Sequence, residues 1–302
     1  MKFKHSYVII IIFALFLVTG CGVQQKEKYS PEFSITPPNK EIEYIFGVHP
    51  LHNPQRLFNV FGPMMAYLSK KIDGVSFRLE ASRNYASFDK KLYSRKFHFA
   101  LPNPFQTINA IDKGYKVFGK MGDDNNFRGI ILVRKDSGIK IVPDLKGKSI
   151  SYPAPTALAA TMMPQYFLQT HGLNVMTDVD NKYVGSQESS IMNVFFKKTQ
   201  AAATWPPPWK ALSKERPELA EQLTVMWQTE PLINNGLVVL PEVPDEIVKQ
   251  VIDLLTGLNK HKEGRNILKP MEFSCYESAT NDTYLIIRGF VKKFITEVRT
   301  LQ

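Results

Sequence analysis

Four short segments pair a helix-capping residue or a proline with the start of a helix: Asn53-Pro54, Asn103-Pro104, Pro155-Thr156 and Ser186-Gln187. Each directly follows a run that reads as a β-strand. Asn, Ser and Thr are favoured N-caps and Pro fits the first turn, so any one of these reads as ordinary capping. Four of them at strand ends fall where open α/β sheets place ligands. A helix N-terminus offers unpaired N–H groups and about half a positive charge. Several converging termini can therefore hold a small anion with neither metal nor cofactor, and no cofactor is expected. GxSxG, HExxH, Walker A and paired-carboxylate patterns are missing, so no enzyme is expected. His49 and His52 lie three apart with no third ligand nearby, and no His/Cys cluster has zinc spacing. Cys275, alone between Ser274 and Tyr276, reads either as a nucleophile or as a small core residue.

The other cysteine, Cys21, sits in a different setting. Lys2, Lys4 and His5 form a basic head, Tyr7 to Val18 is an unbroken apolar run of twelve residues, and Thr19-Gly20 precede Cys21. A basic head, an apolar stretch and small residues make a secretory signal, and the stretch is shorter than the roughly 20 residues that span a bilayer. VTGC also resembles the lipobox of bacterial lipoproteins. That resemblance implies cleavage after residue 20, a lipid on Cys21 and an extracytoplasmic protein anchored to the cell membrane, with more than one acyl chain for stable anchoring. Residues 21–41 are polar, contain proline and show no period, which reads as a tether.

The body behind the tether has a globular composition, with 44% hydrophobic and 22% charged residues. The net charge of +10 comes from scattered lysines with no run of five or six. It suits anionic ligands or surfaces better than nucleic acid, which is not expected as a partner. From residue 42 the patterns alternate. A strand at Ile42–Val48 precedes a helix over 55–71, with Leu57, Val60, Phe61, Met64, Met65 and Leu68 at helical spacing. A strand over 75–80, a helix over 85–94, a strand over 97–101 and a helix over 104–113 follow. Alternation of this kind argues for βαβ units. A second α/β unit begins at Gly129 with GIILVR, then DLKGKSISY, a helix over 156–171, a strand over 180–184, a helix over 186–197 and a strand over 200–204. Pro206-Pro207-Pro208 reads as a break in regular structure. A strand near 234–240 and helices over 245–258 and 282–301 complete the chain.

The ordered segments FGVHPLHNPQRLFNVFGPMMAYLSKKI, YASFDKKLYSRKFHFALPNPFQTINA and SGIKIVPDLKGKSISY resemble the phosphate, phosphite and phosphonate binding proteins of ABC importers. The resemblance runs from about Tyr44 to Phe294, with DLKGK before a strand and the Asn103-Pro104 pair as its signatures. It implies an α/β fold of the type II periplasmic binding class: two lobes of mixed sheet flanked by helices, hinged by two crossover strands. Lobe 1 would be 42–128 plus 231–302, and lobe 2 would be 129–230. In that cleft the helix starts, the nearby aromatics and one arginine make the expected ligand-binding set Asn53, Tyr85, Asn103, Arg128, Thr156, Ala157, Ser186, Gln187 and Trp205. Family members usually carry several hydroxyls in the stretch that here reads Pro153-Ala154-Pro155-Thr156-Ala157-Leu158-Ala159, where Thr156 alone has one. Gln187 stands for a common histidine and Gln200 for a common aspartate. Arg128 or Arg83 would bring positive charge to the cleft or else sit on the surface. Trp205 would line the pocket or plug the hinge. The implied function is capture of a small anionic ligand by a monomer that presents it to an ABC permease. The alternative is a ligand-sensing subunit for a membrane sensor kinase or cyclase.

Overall fold

The computed structural model describes residues 41–301. The leader, Cys21 and the expectations attached to them lie outside the described residues. Eleven strands, β1 to β11, form two sheets among the described residues. The first has the order β11-β4-β10-β3-β1-β2, with β1 at Ile42–Val48, β2 at Val75–Glu80, β3 at Phe99–Leu101, β4 at Lys116–Met121, β10 at Gly236–Val239 and β11 at Tyr276–Glu277. The second has the order β7-β6-β8-β5-β9, with β5 at Ile130–Arg134, β6 at Ser149–Tyr152, β7 at Asp180–Tyr183, β8 at Ala201–Thr204 and β9 at Leu223–Gln228.

Helices connect the parallel strands. Helix α1 (Pro54–Lys71) joins β1 to β2, α2 (Tyr85–Tyr93) joins β2 to β3, and α3 (Pro104–Asp112) leads to β4. The six apolar positions read from the sequence in α1 are all buried. Each such side chain contributes roughly 1.5–3 kcal/mol on leaving water. In the second half, α4 (Met163–Thr170) follows β6, α5 (Gln187–Phe195) follows β7, and α6 (Pro206–Glu215) and α7 (Pro217–Gln222) follow β8. Helices α8 (Asp245–Gly257), α9 (Lys262–Leu268) and α10 (Leu285–Glu297) complete the first half.

The chain crosses between the halves twice, and the two crossings are bonded together. Gly129 N–H donates to the Thr229 hydroxyl at 3.0 Å, Thr229 N–H to the Gly129 carbonyl at 2.9 Å, and Leu232 N–H to the Phe127 carbonyl at 2.9 Å. The strand after each crossing enters its sheet antiparallel: β5 against β8 and β9, and β10 against β3 and β4. This is the two-lobed arrangement with paired crossovers. Gly129 is fixed by space, since a Cβ there would lie 2.6 Å from the Ala159 carbonyl oxygen and 2.6 Å from the Pro164 ring. The main core belongs to the first lobe, yet Ala157, Leu158, Ala160, Met162 and Trp205 of the second lobe join it. Separate apolar clusters line the two sides of the second sheet.

Three readings of the chain are corrected. The helix expected from Thr156 begins instead as a π-turn at Leu158–Met162 that runs into α4, with Ala157 at the cap position. The proline run does not break structure: Pro206, Pro207 and Pro208 open α6, where N–H groups have no intrahelical partner and their loss costs little. The third strand starts at Phe99 rather than Phe97.

Candidate functional site

Strand ends and helix starts of both lobes meet around a small cavity. His49, Tyr85, Asn103 and Asn235 line it from the first lobe, Ala157 to Ala160, Gln187 and Trp205 from the second, and Phe127 from the crossover. Its free volume is about 10 Å³, room for one water molecule, so the lobes stand in a closed arrangement.

The local sequence builds each contributor. Asn103 caps α3: its side chain accepts from Gln106 N–H while the Gln106 side chain accepts from Asn103 N–H, a capping box at 3.0 and 2.9 Å. The Asn103 Nδ2 is left to donate across the cleft to the Thr156 carbonyl at 3.2 Å. Tyr85 opens α2 behind its cap Asn84. Gln187 opens α5 behind its cap Ser186. The Thr204 hydroxyl donates to Gln187 Oε1 at 2.8 Å, which turns Gln187 Nε2 towards the Tyr85 hydroxyl at 3.4 Å. Trp205 caps α6, packs edge-on to Phe127 with ring centroids 5.5 Å apart, and is 3% exposed. The first-turn N–H groups of the Leu158 turn lie in the wall of the cavity without an intrahelical partner. The start of α6 has none to offer, because its first three residues are prolines.

Every side chain facing the cavity is uncharged. His49 is buried, and its Nδ1 hydrogen bonds to the Leu101 carbonyl at 2.8 Å. Burial, only partly opposed by that bond, lowers its pKa to about 4. His52 is lowered to about 3 by burial, then by Arg56 and His49. Burial raises the Tyr85 hydroxyl, leaving a phenol that keeps its proton. Behind it, burial raises the Asp89 carboxyl to about 6 despite the hydrogen bond from Gln106.

Of the nine expected residues, Tyr85, Asn103, Ala157, Gln187 and Trp205 share this cavity. Thr156 borders it through its backbone, and Ser186 stands one residue behind Gln187, its side chain accepting from Ser189 N–H. Arg128 turns away and donates from Nε to the Asn125 carbonyl at 2.7 Å, while Arg83 is exposed. Asn53 lies in a wider interlobe groove, donating to Glu188 at 2.7 Å. Two cleft residues had no place in the expected site. The sequence presents His49 only as a candidate metal ligand, though it stands just past β1 as Asn103 stands just past β3. Asn235, just before β10, carried no signal beyond that rule.

The groove that holds Asn53 also carries the ionic contacts between lobes. Arg56 meets Glu215 at 2.8 Å and Glu188 at 4.0 Å. Glu272 meets Lys214 at 2.7 Å and Lys210 at 3.3 Å. Partial burial works against the Glu272 carboxylate, but the two lysine hydrogen bonds outweigh it and hold its pKa below the usual value.

Two lobes joined by paired crossovers and meeting over an uncharged cavity define a ligand-binding protein of the periplasmic type II class. The family described as ABC transporter, phosphonate, periplasmic substrate-binding protein matches residues 46–284, and the chain belongs to it. Members bind a ligand rather than transform it. Solved structures agree on the fold. A binding protein component of an ABC phosphonate transporter from Pseudomonas aeruginosa superposes with a TM-score of 0.77 at 18% identity, over 87% of this chain and 91% of that one. PhnD1 of Prochlorococcus marinus, in complex with methylphosphonate, gives 0.77 at 18% identity over 86% and 100%. A Xanthomonas citri protein bound to ATP gives 0.67 at 12% identity over 85% and 99%. Among curated proteins no match is found.

Proposed function

We propose that this chain is a lipid-anchored, monomeric solute-binding protein that captures a small oxyanion, phosphate, phosphite or phosphonate-like, for an ABC importer. The observation that carries the reading is the meeting of three helix starts, at Tyr85, Asn103 and Gln187, with the free N–H groups of Leu158 to Ala160 around one small cavity. Converging N-termini favour an anion there without a neutralising side chain. The alanine methyls of 157 and 159 stand in the stretch where the resemblance implies hydroxyls. They let the backbone approach the ligand and leave an apolar wall suited to an organic substituent. Lobe 1, at 42–128 plus 231–302, and lobe 2, at 129–230, close on the ligand about the paired crossovers, and Cys21 ties the body to the membrane.

Calorimetry of the soluble body with methylphosphonate, phosphite, phosphate and acetate tests the ligand class. Binding of at least one phosphorus oxyanion with acetate inert is the expected result; heat from acetate alone would sink it. Labelling with a fatty-acid probe tests the anchor, since Cys21→Ser must abolish incorporation.

A further inference from the structure

The cavity is lined by two hydrogen-bond acceptors that have no partner among the described residues and that an oxyanion without a proton cannot satisfy. His49 is 3% exposed, and its Nδ1 is engaged by the Leu101 carbonyl, so in the neutral ring that nitrogen carries the proton and Nε2 is a bare acceptor. Nε2 has no hydrogen-bond partner among the described residues, and the ring lines the cavity. Asn235 is 1% exposed and also lines it; its Nδ2 contacts the Met121 sulfur at 3.3 Å, and its Oδ1 has no partner. A buried acceptor left unmatched costs roughly 1–3 kcal/mol, so a ligand that brings a proton to one of them is preferred over one that brings none.

Donors complete the pattern. Tyr85 accepts from Gln187 and keeps its own O–H free, and the Trp205 indole N–H makes no hydrogen bond among the described residues. The ligand must therefore both accept and donate. A small cation also donates, but the helix starts around the cavity oppose positive charge.

Resting on the oxyanion reading, we infer that the acceptors of His49 and Asn235 make the cleft selective for the protonated, singly charged form of a phosphorus oxyanion, whose one P–OH donates to one of them while Tyr85 and Trp205 donate to its bare oxygens. No covalent step is involved. A sulfonate of the same shape carries one charge but no proton at neutral pH, so it leaves both acceptors unmatched and is rejected.

The groups around His49 do not blur a measurement above pH 7. The Tyr85 and Phe88 rings, His52 and the Leu101 carbonyl face it from its own lobe, and Gln187 and Trp205 face it across the cleft. Arg56 acts on His52, and Asp89 acts on Tyr85. Both histidines are then neutral, Asp89 is ionised and Tyr85 keeps its proton. A pH dependence in that range belongs to the ligand.

The test is calorimetry with methylphosphonate and methanesulfonate between pH 7 and 9. The expected result is methylphosphonate binding at pH 7 with affinity falling about tenfold per pH unit above the ligand's second ionisation, and methanesulfonate at least about tenfold weaker at pH 7. Methanesulfonate binding as tightly, or methylphosphonate binding unchanged or tighter towards pH 9, overturns the inference and leaves the oxyanion reading standing. Binding of neither, nor of phosphite, at any pH overturns both. The double variant His49→Phe with Asn235→Leu, which keeps the cavity wall filled but removes both acceptors, should narrow the gap between the two ligands. The pH profile of the unaltered protein decides the matter even if that variant does not fold.

Discussion

Replacing Glu272 with Gln should loosen the closed arrangement without touching the cavity. The Glu272 side chain is 11% exposed and stands between Lys210 and Lys214 of the opposite lobe, which are 61% and 59% exposed. Gln keeps the shape and removes both ion pairs. Because the lysines remain largely solvated, their loss of a partner carries no buried-charge penalty. Partly solvated pairs contribute about 0.2–1 kcal/mol each, so two are worth roughly 0.4–2 kcal/mol. That shifts the closed-to-open ratio about two- to thirtyfold towards open. A ligand that engages only the closed form then binds more weakly in proportion to the closed population lost. Small-angle scattering of the empty protein should show a larger radius of gyration for Glu272→Gln at low salt, and raising the salt should bring the parent towards the same value as screening weakens its pairs. Methylphosphonate titrations at each salt concentration supply the affinity. If parent and variant share one radius and one affinity from low to high salt, the contacts do not hold the lobes together and the reasoning fails.

Acid should destabilise the protein in a way that Asp89 tempers. His49 and His52 have folded pKa values near 4 and 3 against 6.5 unfolded, so the unfolded chain binds two more protons and stability falls with pH below about 6.5. Asp89, raised to about 6, opposes one of them between about pH 6 and 4, leaving a net loss of about 1.4 kcal/mol per pH unit. Asp89→Asn, which still accepts from Gln106, should therefore steepen the fall in melting temperature below pH 6; an unchanged slope counts against the assignment. Gly129→Ala drives a methyl into the Ala159 carbonyl and the Pro164 ring, and about 1–3 kcal/mol of overpacking should lower the melting temperature by several degrees. A neutral result would mean that the hinge backbone yields freely. Trp205, in contact with both Phe127 and the cavity, should report methylphosphonate binding by fluorescence, and Trp205→Phe should erase the change although Trp209 and Trp227 remain.

The first lobe was legible because its signals agreed with one another. Asn53, Asn84 and Asn103 each cap a helix, and a clear apolar period follows in α1. What stayed hidden had a local pattern at odds with its setting. Strand β4, KVFGKM, contains a glycine and a lysine, yet Lys120 is buried between Asp124 and Glu277 at 2.9 and 2.6 Å. Strand β9 is an edge strand with a mixed burial pattern. The π-turn at Leu158 has no signature, since Ala and Leu suit an ordinary helix equally well. Tyr85, Asn103, Gln187 and Trp205 could be singled out because each lies where a strand gives way to a helix. Arg128 was included on charge alone, and its Nε is occupied by a carbonyl of its own loop. His49 and Asn235 matter through the atoms they leave unmatched, which only the packed structure reveals.

The order of strands also sets a timetable for folding. The second sheet takes all five strands from one continuous stretch, 130–228, so it can assemble as soon as that stretch is available. The first sheet cannot. Its strand β10, near the end of the chain, lies between β3 and β4, which are made more than a hundred residues earlier. Until 236–239 arrives, β3 and β4 each present an unpaired edge, and the lobe that supplies His49, Tyr85 and Asn103 is split in two. Long-range pairing of this kind is slow. A chain cut after residue 230 keeps a complete second sheet but leaves the first divided at its centre, a fragment prone to associate through its open edges.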